Sequence, residues 1–123
     1  MTVLIVEPGK KPRKAEIDGS LEGMQKVVGG YIQAIYSFED PVALICNEEG
    51  KILDIPFNRA LRDEDGDIYD IVSGTFFLCS APPDSDSFEG LSDELMEKYS
   101  QMFCYPEMFL KVDGMIVCLP LDE

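Results

Sequence analysis

The sequence predicts an α+β fold, a single domain over residues 1–123 with a mostly antiparallel sheet and at least two helices packed on it. Three observations carry this. Short apolar runs recur between tight turns rich in Pro, Gly and Asp, two stretches place apolar residues at helical spacing behind good N-caps, and 123 residues at 46% apolar content suffice for one core. No internal repeat and no linker long enough to separate two domains is visible.

Val3 to Val6 is β-branched and reads as a strand. Pro8-Gly9 breaks it, and Lys14 to Ile17 is expected to return beside it as a hairpin. Asp18-Gly19-Ser20 supplies a helix N-cap with Glu22 in the first turn, Leu21, Met24, Val27 and Val28 follow at helical spacing, and Gly29-Gly30 ends the run. Tyr31 to Phe38 and Val42 to Cys46 read as strands joined at Glu39-Asp40-Pro41. Lys51 to Ile55 is expected to continue this meander, and Pro56, Asn58 and the charges from Arg59 to Asp67 to form a long polar loop. The segment Ile68 to Ser73 fits either a helical turn or a strand, whereas Thr75 to Cys79 reads as a strand.

Residues Ala81 to Glu89 have the composition of an exposed loop. Ser92 N-caps a second helix whose apolar face is Leu95, Met96, Tyr99, Met102 and Phe103, and Tyr105-Pro106 stops it. Residues 108 to 112 and 115 to 119, on either side of Asp113-Gly114, form the clearest hairpin signal in the chain.

Composition excludes several functions. A formal charge of −14 opposes direct binding to nucleic acid or to anionic membranes. The absence of His removes the usual nucleophilic triads and His-ligated zinc, so catalysis would fall to carboxylates, Lys, Tyr or Cys. The four cysteines, Cys46, Cys79, Cys104 and Cys118, lie far apart in sequence and inside apolar runs, which fits reduced, buried thiols in a cytoplasmic protein better than two disulfides or a redox pair. No apolar segment approaches a membrane span, and the first residues lack the order of a secretory signal. Neither GxGxxG nor GxxxxGK occurs, so no phosphate-binding fingerprint or cofactor is indicated.

The acidity is segregated. Residues 1–30 hold 5 basic and 4 acidic side chains, and residues 31–123 hold 5 basic and 20 acidic ones. The cluster Asp63-Glu64-Asp65-Gly66-Asp67 with Asp70 resembles a cation loop in composition only, because the EF-hand ligand positions are not met, and no metal site is expected. The i, i+2 spacing of Asp63, Asp65 and Asp67, and of Asp84 and Asp86, would place carboxylates about 6.6 Å apart on one side of an extended strand, close to two base-pair steps of DNA. The expected partner-binding surface is therefore Glu39, Asp40, Glu48, Glu49, Asp63, Glu64, Asp65, Asp67, Asp70, Asp84 and Asp86, facing a basic protein such as a nucleic-acid-binding nuclease. An alternative reading takes Asn58, Arg59 and Arg62 as polar anchors for a small molecule or nucleotide. A third is an enzyme that works with carboxylates and a metal.

The segments VEPGKKP, EIDGSLEGMQKVVGGYIQAIYSFEDPVALICNEEGK, PFNRALRDEDGDIYDIVSGTFFLC and SDELMEKY resemble a family of small domains of unknown function encoded on phages, plasmids and conjugative elements of Firmicutes. The resemblance spans nearly the whole chain. It implies no activity and no catalytic residues, but a genomic setting among accessory and antirestriction genes. The KKPRK stretch and the APPDSDSFEG loop depart from what the resemblance leads one to expect, so neither takes a family role. Charge and resemblance together point to a non-enzymatic, mobile-element-encoded inhibitor of a restriction or CRISPR nuclease acting by nucleic-acid mimicry. The sequence leaves the oligomeric state open.

Overall fold

The computed structural model describes residues 1–50 and 52–121. Nine strands and two helices are formed among them: β1 (Thr2–Val6), β2 (Arg13–Glu16), α1 (Leu21–Val28), β3 (Ile32–Ile35), β4 (Val42–Asn47), β5 (Phe57–Arg62), β6 (Ile68–Ser73), β7 (Phe76–Ser80), α2 (Asp93–Met102), β8 (Glu107–Val112) and β9 (Met115–Pro120). Five strands make an antiparallel sheet in the order β2-β1-β7-β4-β3. The remaining four pair as two hairpins, β5-β6 and β8-β9. The α+β class is as the sequence predicts.

The sheet is covered on both faces, which explains why β4 is buried at all six positions while its residues alternate in direction. Val3, Ile5, Ala43, Ile45, Phe77 and Cys79 point to one side, where Met24 and Val28 of α1 close the core. Leu4, Val6, Val42, Leu44, Cys46, Phe76 and Leu78 point to the other, against Met96, Tyr99 and Phe103 from α2 and Leu61 and Val72 from the β5-β6 hairpin. Phe103 sits edge-on to Phe76 with ring centroids 5.4 Å apart, and Phe38 meets Tyr99 in the same way at 5.2 Å.

Local signals behave as expected at both helices. The Ser20 hydroxyl accepts a hydrogen bond from the Gly23 N–H at 3.1 Å, and Gly29, at φ 79°, ends α1 in the left-handed conformation. The Ser92 hydroxyl accepts from the Leu95 N–H. In the β8-β9 turn, Asp113 and Gly114 have φ of 51° and 80°, the pair of left-handed residues a type I′ hairpin needs.

Three expectations are corrected and one open segment is resolved. Residues 52–54 turn instead of extending the meander: the Leu53 N–H donates to Glu49 O, the Ile55 N–H to Gly50 O, and Asp54 reverses the chain at φ 59°. Lys51 lies outside the described residues. The expected polar loop at 56–67 contains β5, with Asn58, Arg59, Ala60 and Leu61 all buried, because partners distant in sequence satisfy the polar side chains. The ambiguous segment Ile68–Ser73 is a strand. Met102, expected on the apolar face of the second helix, is 54% exposed.

Candidate functional site

A cleft of about 690 Å³ opens between α2, the β5-β6 hairpin and the segment joining β3 to β4. Its walls include Phe38, Tyr69, Tyr99 and Tyr105, and its charged groups are Glu39, Arg62, Asp63, Glu64, Lys98 and Glu107, with Arg59 behind them. At one side, Lys98 Nζ donates to Asp40 at 2.6 Å and to Glu39 at 3.3 Å, and the Tyr99 hydroxyl donates to Asp40 at 2.9 Å. These hydrogen bonds from Lys98 and Tyr99 hold the Asp40 carboxyl below its ordinary range. The same contacts push Lys98 up to about 12, and burial, with help from Asp40, pushes Tyr99 up to about 12.

At the other side, Glu107 joins two elements. Its carboxylate accepts from the Ala60 N–H at 2.9 Å and from Arg62 Nη2 at 2.7 Å, so β8 is tied to β5. Beyond it, the β5-β6 turn carries the acidic cluster. The Asp63 carboxylate accepts from the N–H groups of Asp65 and Asp67, each at 3.0 Å, which folds the turn back on itself. Carboxylate oxygens of Asp63, Asp65 and Asp67 consequently lie within 4.8 Å of one another, all exposed. The extended ladder with a 6.6 Å step is thus replaced by a single dense knot of negative charge, because the segment is a turn and not a strand.

The other acidic residues divide by position. Glu39 and Asp40 flank the cleft but are partly neutralised by Lys98. The loop with exposed Asp84 and Asp86 starts beside them, since the Ala81 N–H donates to Pro41 O at 2.8 Å. Glu48 and Glu49 follow the opposite end of β4, and Asp70 lies on β6 beside a second, apolar cavity lined by Ile55, Phe57 and Ile71. Sequence spacing alone could not show this division, which depends on where the strands end.

Asn58 and Arg59, proposed as ligand anchors, have their donors engaged inside the protein. Asn58 Nδ2 donates to Val6 O and Gly74 O, both at 2.8 Å. Arg59 donates from Nε and Nη2 to Phe103 O, from Nη1 to Asn58 O and Oδ1, and from Nη2 to Lys10 O. Arg59 is 1% exposed, and its burial lowers the guanidinium pKa. These two residues hold β5 to β1 and to the end of α2. Arg62, more open, is paired with Glu107.

The family model described as a domain of unknown function (DUF3846) matches residues 1–104. The chain belongs to this family. The match runs from β1 through α2 and stops before the β8-β9 hairpin, so the sheet, both helices and most of the cleft wall belong to the family portion. No curated protein and no solved structure matches the chain. Among the described residues no helix is long and apolar enough to cross a membrane.

Proposed function

We propose that this DUF3846 domain is a non-enzymatic acidic inhibitor, carried on a phage, plasmid or conjugative element, that occupies the basic nucleic-acid-binding groove of a host defence nuclease of restriction or CRISPR type. The observation that carries the reading is the knot of Asp63, Asp65 and Asp67, exposed beside an open cleft and making no ion pair among the described residues. Three carboxylates within 4.8 Å present a charge density like that of a phosphate cluster, which a groove lined with Arg and Lys is built to bind. Glu64 and Glu39 extend this charge along the cleft rim.

The test is a pull-down against Cas9-type and type I restriction enzymes, followed by DNA cleavage at low and high salt. Cleavage should be suppressed at stoichiometric inhibitor and recover as salt screens the contact, with Asp63→Asn/Asp65→Asn/Asp67→Asn losing most of the effect. Full cleavage by every enzyme at excess inhibitor would overturn the reading.

The cleft volume of about 690 Å³ favours a second reading, a small-molecule or nucleotide-binding domain in which Arg62 and Lys98 meet an anionic ligand. A thermal-shift screen with nucleotides decides for it if one of them raises the melting temperature, and against it if none does.

A further inference from the structure

The β8-β9 hairpin lies outside the family match and has two unlike faces. Phe109 and Cys118 face the body of the protein, where the Phe109 ring packs on Phe57 at 5.4 Å, and Glu107 binds Ala60 and Arg62. The cross-strand pairs Met108–Leu119, Leu110–Val117 and Val112–Met115 fall on the other face. All six of these side chains are apolar, and each is between 37% and 71% exposed.

We propose that this face is the contact between two copies of the chain, packed hairpin on hairpin across a two-fold axis. Three observations select a second copy as the occupant. First, the patch exposes roughly 500 Å² per copy, so two copies would bury about 1,000 Å², the lower bound for a specific interface. Second, a two-fold contact must be complementary to itself, and a face of Met, Leu and Val without a polar group meets that condition in any in-plane orientation. Third, a net charge of −14 opposes self-association through the acidic surfaces, whereas the charges on this hairpin, Lys111, Asp113 and the Arg62-paired Glu107, sum to −1 before that pairing is counted. A two-stranded hairpin is also marginal by itself, and a facing hairpin supplies the second layer it lacks.

This contact has the opposite salt dependence from the proposed nuclease contact, so the two can fail independently. Salt screens the repulsion between copies and strengthens the apolar contact, while it weakens an acidic inhibitor's hold on a basic groove.

The experiment is sedimentation equilibrium of the full chain at low and high salt, with thiols kept reduced. A dimer dissociating in the micromolar range and tightening with salt is expected. Leu110→Lys and Met115→Lys, on the apolar face, should each raise the dissociation constant at least about tenfold. Lys111→Glu, on the opposite face, should leave the dimer intact. Both apolar-face positions are exposed, so circular dichroism melts taken at a concentration well below the wild-type dissociation constant should match the wild type and exclude misfolding as the cause. A wild-type chain that stays monomeric at several hundred micromolar in high salt would overturn the proposal. So would apolar-face variants that dimerise as well as the wild type.

Discussion

The Phe103 carbonyl, at the C-cap of α2, accepts two hydrogen bonds from the Arg59 guanidinium, one from Nε and one from Nη2, each at 3.2 Å. A buried strand residue thus satisfies the C-cap carbonyl, while those of Tyr99 and Gln101 accept from the backbone N–H groups of Phe103 and Cys104. The same side chain reaches Lys10 O in the loop between β1 and β2, so one guanidinium ties three parts of the fold together.

Arg59→Met should therefore destabilise the domain by roughly 3 kcal/mol, since removal of the guanidinium takes the charged donor away from the buried Phe103 carbonyl and Asn58 Oδ1. Arg59→Lys should recover only a small part, because an ammonium cannot span the same fork of acceptors. Urea denaturation with a shared m-value measures both. A loss below about 1 kcal/mol for Arg59→Met would show that the guanidinium is dispensable.

Asp40 links acid stability to the Lys98 and Tyr99 contacts. Its carboxyl is depressed in the folded state, so its contribution is present above the unfolded carboxyl pKa, about 3.9, and is lost as pH falls through the lower folded value. Melting temperatures of the wild type and Asp40→Asn should differ most near neutral pH and converge as the pH falls through the depressed folded value. A constant gap across that range would mean that the carboxylate charge plays no part.

Gly23 lies in α1, where alanine is ordinarily the better helix former by about 1 kcal/mol. Here a Cβ would lie 2.3 Å from Asp18 O and 2.7 Å from Asp18 Cβ. Gly23→Ala should accordingly destabilise by about 1–3 kcal/mol, or displace the Asp18 to Ser20 cap, reversing the propensity rule. Thermal denaturation with an exposed control in the same helix, Lys26→Ala, separates the two effects.

In the acidic turn, the three aspartates have different roles. Asp63→Ala removes the acceptor for two backbone N–H groups and should cost about 1 kcal/mol, whereas Asp65→Asn and Asp67→Asn relieve repulsion and should be neutral or slightly stabilising. Chemical denaturation at low salt reads the difference. Equal effects from all three substitutions would show that the turn does not depend on the Asp63 acceptor.

Thiol chemistry should divide the cysteines. Burial pushes Cys79 up to about 12 and leaves it 0% exposed, so it should resist a disulfide reagent until the domain unfolds. Cys104 and Cys118 are only partly buried and should react in the native state, Cys118 slowly because burial also raises its pKa. Time-resolved labelling followed by peptide mass mapping checks the order, and early modification of Cys79 would indicate that the core opens readily.

The sequence by itself determined the elements whose causes lie within a few residues of them. Ser20 and Ser92 caps, the Gly29 terminator and the Asp113-Gly114 turn each work through adjacent backbone, so both helices and the last hairpin were legible, as were the strands around Val3 to Val6 and Val42 to Cys46. Only the tertiary structure decided the middle of the chain. Asn58 and Arg59 read as loop because polar residues avoid cores, yet Arg59 is buried by carbonyls 44 and 49 residues away. The same holds for the site. The acidic residues were visible as a list, but whether they formed a ladder, a knot or scattered charge depended on the Asp63 turn, on the ends of β4, and on the single lysine that reaches Glu39 and Asp40 from 59 and 58 residues away. Local backbone preference is encoded locally, whereas the burial of a charge and the company it keeps depend on which distant groups the fold brings within hydrogen-bonding distance.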